Sequence, residues 1–320
     1  MTVAVDPCPI CLSVGSKPVR RVYDDRYGYP GDFTVHCCTS CGHRYLEAHF
    51  SDEQLVRLYS DYYPRASMLD APYQPAPPIN GLGAWWGGKT RSAYRWVQPG
   101  SKVLDIGCGS CASLGYLRAI GCEVSGVEAD ENVRMIAKRE GFDVEIGTFN
   151  PELYAADSFD YVTMDQVIEH TSDPRATLLG IARILRPGGT AILSTPNPSG
   201  WGARLFGSYW IHWHAPYHLQ HFSRRSMETV ASQAGLEVER VTCITDSSWL
   251  RYQWLHLMTR PAMGAVSPFW AGESLQEPAR LKRRRLATLI HLTGIDHLLT
   301  RLFDSLGLGD NQLFFLRKPL

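Results

Sequence analysis

The 320-residue chain predicts a doubly wound α/β sheet preceded by a small cysteine-rich module. Three observations carry that expectation. From residue 99 onward, short apolar runs alternate with helix-period segments at the spacing of successive βαβ units. The first run, KVLDIG, breaks into a glycine-rich turn of the kind such a sheet places at the head of its first helix. Four of the five cysteines in the first 41 residues form two C-x2-C pairs.

The chain is long enough for one large domain with an accessory piece, or for two ordinary domains. Its 32 basic and 32 acidic residues cancel, which argues against a nucleic-acid partner, since such binders carry a basic excess. No run approaches the roughly 18 apolar residues of a membrane span. The start, MTVAVDPCPIC, lacks the basic-then-apolar pattern of a secretory signal, so the expected compartment is the cytoplasm. Nine cysteines, an odd number without an export signal, argue against a disulfide framework.

Residues 1–50 are expected to form a zinc-ribbon module. Cys8, Cys11, Cys38 and Cys41 make two knuckles separated by 26 residues, and the segment between them reads as a hairpin arm. Four thiolates suit one tetrahedral Zn2+ with no open coordination position, hence a structural ion. Cys37 would give the wrong spacing and is left outside, while His36 and His43 are possible substitutes. Residues 51–98 follow as a helix and linker. Ser51 with Gln54 three on makes a capping-box start, and Leu55, Leu58 and Tyr59 share a helical face. APYQPAPPINGLG reads as linker, and Trp85, Trp86 and Tyr94 as a short helix packed on the next domain.

The core is expected over 99–246, rejoined at 310–320. KVLDIG, CEVSGVEAD, DVEIG, FDYVTMDQ and TAILSTPN are the strands, with helices around SLGYLRAI, ENVRMIAKRE and ATLLGIARIL. LEVERVTCITD and QLFFLRKP are two late strands, and 247–309 is a helical insertion between them. Its KRRRLATLIHL sets a basic run beside an apolar face, which suits a lid, a dimer contact or a helix docking peripherally at a membrane. Gly107, Gly109 and Ala112 fit a GxGxxA nucleotide turn, and Glu128, about twenty residues on, stands where a carboxylate accepts ribose hydroxyls. Asp105 discriminates between cofactors. A carboxylate inside the strand repels a diphosphate, but it favours a cationic amino-acid end, directly or through water.

VLDIGCGS, Glu128, FDYVTMDQVIEH, LRPGGTAILSTPN and the terminal GLGDNQLFFLRKP together resemble the successive motifs of class I S-adenosylmethionine-dependent methyltransferases. The resemblance implies a Rossmann-like sheet with a final antiparallel strand, S-adenosyl-L-methionine as cofactor and S-adenosyl-L-homocysteine as product. It implies that Gly107, Cys108 and Gly109 admit the methionine portion and that Glu128, followed by Ala129, holds the ribose. Thr148 and Phe149 would flank adenine, and Asp165 and Gln166 would close over the cofactor. Cys111 departs from the third-glycine pattern.

Methyl transfer to a hydroxyl or carbon acid needs alignment and a base. His170, in DQVIEH, follows the fourth core strand, and WIHWHAPYHLQHFS supplies His212, His214, His218 and His221 after the fifth. Glu169-His170 resembles the EH pair of zinc-ribbon-bearing sugar C-methyltransferases, where the histidine is implicated as base. Pro216-x-His218-Leu219-x-x-Phe222-Ser223 is similar to a stretch of bacterial methyltransferases associated with surface glycans and secondary metabolites. His170 and His218 are therefore the candidate general bases, with a loop-stapling role the alternative for His170. Trp210, Trp213 and Tyr217 suit stacking on a ring, and Tyr62 and Tyr63 could reach the same cleft. The expected activity is methylation of a hydroxyl or carbon of a sugar or secondary-metabolite intermediate, free or carrier-linked. The alternatives are an NAD(P)-dependent oxidoreductase, which GxGxxA permits, and a zinc-ribbon binding protein.

Overall fold

The computed structural model describes residues 7–48, 50, 52–62, 73–270 and 278–320. The expected cap Ser51, Tyr63 and part of the linker lie outside the described residues.

Three strands, β1 (Ser16–Tyr23), β2 (Asp32–Cys38) and β3 (Arg44–Glu47), form an antiparallel meander between and beyond the two cysteine knuckles. Two short helices follow, α1 (Asp52–Arg57) and α2 (Gly81–Gly87). The segment expected as free linker lies along the next domain. Tyr73 donates its hydroxyl to the Cys111 carbonyl at 3.1 Å, and the Ala76 amide donates to the Ala112 carbonyl at 2.8 Å.

The main body then alternates as the apolar periodicity requires: β4 (Lys102–Ile106), α3 (Ala112–Ala119), β5 (Glu123–Glu128), α4 (Val133–Glu140), β6 (Asp143–Ile146), β7 (Phe159–Asp165), α5 (Pro174–Ile184) and β8 (Leu185–Pro196). Helix α5 starts where Asp173 accepts the Ala176 amide and Pro174 supplies a first-turn residue with no amide to satisfy. Beyond β8 come α6 (Trp201–Phe206), the two-residue strand β9 (Gln220–His221), α7 (Arg224–Gln233), β10 (Glu237–Cys243), α8 (Ser248–Thr259), α9 (Pro278–Leu292), α10 (Ile295–Ser305) and β11 (Asn311–Arg317).

The seven-stranded sheet runs β10-β11-β8-β7-β4-β5-β6. β4, β5, β6, β7 and β8 are mutually parallel, and β11 is antiparallel to both β8 and β10. The chain thus has the doubly wound sheet with a final antiparallel strand. β4 and β11 are covered on both faces, which is why each reads as a near-continuous apolar run rather than an alternating one. Strand β9 pairs with β3 through Arg44↔His221 and Tyr45↔Gln220, so a loop of the main domain completes the N-terminal sheet. One buried cluster joins Cys8, Ile10, Cys38 and Tyr45 to Leu104, Met164, Phe222 and Phe314, so the module shares the core of the sheet. Among the described residues no helix is long and apolar enough to cross a membrane.

Candidate active site

The cleft lies at the carboxyl edge of β4, β5 and β7, where the strand order reverses. At the end of β4 the backbone turns through left-handed conformations at Gly107 (φ +76°), Gly109 (+54°) and Cys111 (+63°). A Cβ on Gly107 would stand 2.3 Å from Val167 Cγ2, so glycine is required for the two strand ends to approach. Gly109 has nothing within 4 Å of where a Cβ would be, leaving its backbone bare toward the cleft. Its amide donates to Glu128 Oε2 at 2.8 Å, and the Asp130 amide donates to Oε1 at 3.0 Å, so Glu128 ties the turn to the end of β5. Cys108 is buried, with its sulfur 2.7 Å from where a Cβ on Gly126 would lie; only its backbone faces the turn. Cys111 takes the left-handed position directly before α3, with its thiol fully buried.

Asp105 is 3% exposed. Ser113 donates to its Oδ2 at 2.5 Å and Thr163 to its Oδ1 at 2.6 Å. Both oxygens are held by hydroxyls of the protein and the carboxyl is buried, so Asp105 bears on the cleft at least through its field. Burial pushes its carboxyl up to about 6, and the carboxylates of Asp165 and Glu128 add to that push. The three acids therefore sense one another at the ends of three adjacent strands. Asp165 Oδ1 is shielded from solvent and has no hydrogen-bond partner among the described residues. Gln166 (φ +59°) is held by Ser194 and Asn311, to which its Nε2 donates at 3.1 and 2.9 Å. Ala129 and Thr148 are exposed, whereas Phe149 is half-buried. It stacks on Tyr154 (centroids 6.3 Å apart) and fills the space above Gly180, so core packing takes it up.

A cluster of imidazoles begins on the turn after β7, the strand that ends at Asp165. His170 closes a single helical turn (Ile168–His170) after β7, and its Nδ1 donates to the Tyr217 carbonyl at 3.0 Å. His218 Nδ1 donates to the His212 carbonyl at 2.9 Å. A carbonyl only accepts, so in both rings the proton sits on Nδ1 and the Nε2 lone pair is left for other work. The rings of His170 and His218 meet edge to face at 4.6 Å, and His214 is 4.8 Å from His218. Burial drives His170 down to about 4 and holds His214 and His218 well below the usual range, so all are neutral at neutral pH.

Sequence reasoning gave Glu169 no role of its own. Its carboxyl is fully buried, accepts from Thr195 Oγ1 at 3.0 Å, and is pushed by burial up to about 8. Ligand atoms of Glu169, His170 and His218 lie within 4.8 Å of one another. Two further residues come from the hairpin turn between β1 and β2, where Asp24 gathers the amides of Arg26, Tyr27 and Tyr29. The Tyr27 ring lies 5.8 Å from His214 and 5.6 Å from Tyr217. Arg26 is buried, donates to the Ile211 carbonyl, and stacks 4.2 Å over Trp270. The available signal was the unusual density of charge in DDRY within a turn; the partners, nearly two hundred residues away, left none.

Other expectations change. Trp210, Trp213 and Tyr217 are core side chains rather than stacking surfaces, and His212 and His221 are interior. Tyr62 packs on Tyr29 at 5.1 Å instead of reaching the histidines. A surface groove of about 530 Å³, lined by Tyr23, Phe206, Tyr209 and Arg260 among others, contains none of the residues of this cleft.

At the N-terminus, Cys8, Cys11, Cys38 and Cys41 bring their sulfurs within 4.8 Å of one another. The Cys8–Cys41 and Cys11–Cys38 separations are 3.6 and 3.5 Å. A tetrahedron with arms of about 2.3 Å has edges of about 3.8 Å, so the donor set fits a single ion. Cys37 lies outside it, donating to carbonyls.

A family profile described as a methyltransferase domain matches residues 52–241. The chain is 30% identical over 169 residues to a ubiquinone biosynthesis O-methyltransferase of Thiobacillus denitrificans, covering 47% of this chain and 73% of that protein. It is 31% identical over 128 residues to the protein of the same name from Xanthomonas campestris, covering 37% of this chain and 54%, about half, of that relative. Haemonchus contortus phosphoethanolamine N-methyltransferase 2, solved with S-adenosyl-L-methionine, superposes with a TM-score of 0.51 at 17% identity over 87% of this chain and 62% of that one, a likeness of fold. These matches displace the readings as an oxidoreductase or as a bare binding module. The chain belongs to the methyltransferase domain family and is a class I S-adenosylmethionine-dependent methyltransferase.

Proposed function

We propose that the enzyme methylates a hydroxyl or carbon acid of a small molecule, with His170 removing the proton. The observation that carries this reading is the neutral imidazole locked by Tyr217 on the turn that follows β7, with its Nε2 lone pair left over. An amine acceptor is nucleophilic once neutral, whereas a hydroxyl or carbon acid must lose a proton as it is methylated, which gives a base its purpose. The relatives named as O-methyltransferases favour the hydroxyl. The EH pair favours a sugar or secondary-metabolite ring, free or carrier-linked. His218, in edge contact with His170, is the second candidate base and can take the proton onward.

Bound S-adenosylmethionine supplies an electrophilic methyl on a sulfonium. The chain's residues suit that cation. Asp105, Glu128 and Asp165 make the strand ends negative, and the orphaned Asp165 oxygen provides an acceptor already stripped of water. The backbone of Gly107, Cys108 and Gly109 lines the amino-acid portion. Glu128, whose oxygens each accept only one amide, retains lone pairs for ribose hydroxyls. Thr148, exposed beyond β6, borders the adenine, and Gln166, pinned by Ser194 and Asn311, fixes the floor.

We assign the four cysteine sulfurs to one structural Zn2+. One zinc per chain in elemental analysis is expected, and Cys38→Ser should lower the melting temperature by about 10 °C, the order of effect of losing several kcal/mol in a chain of this size. A metal-free, equally stable preparation removes the assignment.

The enzymatic reading is tested by incubating host extract with the enzyme and an isotopically labelled methyl donor, then finding the labelled product by mass spectrometry. S-adenosylhomocysteine should raise the melting temperature of both wild type and His170→Ala, while NAD should raise neither. Turnover should fall only in the variant. Turnover that survives in His170→Ala but not in His218→Ala transfers the base role; survival in both ends it.

A further inference from the structure

Helices α9 and α10 form a hairpin through the turn at Gly294 (φ +82°), within the insertion between β10 and β11. Leu299 and Phe303 of α10 pack against the core, and the helix turns its charges inward beside them. The inward face of α10 holds the charges: Asp296 is fully buried, accepting from Trp254 and His291 at 3.1 and 3.0 Å, and Arg301 pairs with Asp304 at 2.8 Å. The outward face is leucine. Leu286, Leu289 and Leu292 recur every three residues along α9, and Ile295, Leu298 and Leu302 at helical spacing along α10, Leu292 reaching 75% exposure and Leu298 58%. Helix α2 extends this surface. The Trp85 carbonyl accepts from Arg301 at 2.6 Å, Trp86 leans on His297 at 5.7 Å, and Leu82 and Trp85 stand 85% and 57% exposed. Of the three aromatic residues expected to pack here, Tyr94 packs on Tyr116 and Trp86 on His297, while Trp85 faces outward.

Charge decides what such a face suits. The only acids of residues 278–306 are Asp296 and Asp304, and both are turned inward. The bases Arg280, Lys282, Arg283, Arg284 and Arg285 lie in the first half of α9, with Arg285 exposed. An apolar face whose helices carry a basic run in sequence, with both acids of 278–306 turned inward, complements an anionic bilayer: leucine and tryptophan enter the interface while Arg285 meets the headgroups. A second copy offers no such match, because it brings the same basic helix and no outward carboxylate of its own to the contact. The insertion also departs from and returns to the catalytic edge, where Asn311 accepts from Gln166. We propose that the α9–α10 hairpin with α2 is a peripheral docking surface for anionic membranes, independent of which acceptor is methylated.

The test is co-sedimentation of the full-length protein with vesicles of phosphatidylcholine alone or with about one-third phosphatidylglycerol. Binding to the anionic vesicles should be at least about tenfold stronger, weaken as salt is raised, and fall about tenfold in Leu289→Glu/Leu298→Glu. That variant should keep its melting temperature, because both side chains are exposed in the wild type. Arg285→Glu should reduce the preference for anionic vesicles without abolishing binding. Equal affinity for both vesicle types, absence of binding, or loss of binding only in variants that melt early overturns the proposal. So does a concentration-dependent dimer, abolished by the leucine variant, in a protein that ignores vesicles.

Discussion

The two ends of the cleft handle burial in opposite ways. At the acidic end, Asp105, Glu128 and Asp165 come from the tips of three neighbouring strands, and hydroxyls and amides satisfy most of their oxygens. At the imidazole end, His170, His214 and His218 are brought together by a loop and by a hairpin turn from the far N-terminus, and burial keeps them uncharged. One end attracts a cation; the other offers lone pairs without charge, so it does not repel that cation. A methyl donor carrying positive charge and an acceptor losing a proton need that pairing.

Changing pH breaks the comparison most broadly. His43, His170, His212 and His221 are pushed by burial down to about 4, 4, 3 and 3, with His214 and His218 also well below their ordinary value. In the unfolded chain these rings titrate near 6.5, so between there and about 4 the unfolded state binds protons the folded state refuses. The histidines' share of stability is therefore complete above about 6.5 and drains as pH falls. Glu169, Asp310, Asp105 and Asp304, raised to about 8, 7, 6 and 6, act in the other direction and shallow the slope. A melting temperature lower by about 10 °C at pH 5 than at pH 7, read by calorimetry, is expected. A flat profile contradicts the neutral cluster.

His170→Ala should lower kcat by about 10²- to 10⁴-fold while leaving the dissociation constant for S-adenosylhomocysteine within twofold, measured by calorimetric titration. At the other end, Glu128→Ala should do the converse, weakening the cofactor about 10- to 100-fold by removing charged hydrogen-bond acceptors. Asp105→Asn keeps the shape and removes only the field; about tenfold weaker cofactor binding is expected, with the fold retained. The smallest effect is Phe149→Leu, which should alter cofactor affinity less than twofold and appear instead as a modest loss of stability, because its ring belongs to the core. A large affinity loss there restores Phe149 to the cofactor site.

The acidic end was legible in the sequence because its geometry is local to a strand and the turn that follows. KVLDIGCG fixes a carboxylate, a reversal and two glycines without side chains within eight residues, and Glu128 is one βαβ unit away. The imidazole end was only half legible. His170 inherits its position from β7, but which of His212, His214, His218 and His221 accompany it depends on how a loop packs, and no periodicity encodes that. The partners of Arg26 and Tyr27 left no trace, because the turn that carries these residues is joined to the cleft only through tertiary contacts. Thr148 and Phe149 show the same limit on a smaller scale: adjacency after β6 was readable, whereas which of the two rotates into the core was not.

The pairing of Arg44 and Tyr45 with Gln220 and His221 reaches beyond the folded molecule. On the ribosome, the N-terminal meander emerges early with the outer side of β3 unzipped, and its neighbour is delivered only when residue 221 has cleared the exit tunnel. Until then the nascent polypeptide presents a naked β margin, the kind that other chains can invade. Stalled translation anywhere between these two points leaves the enzyme at its most vulnerable.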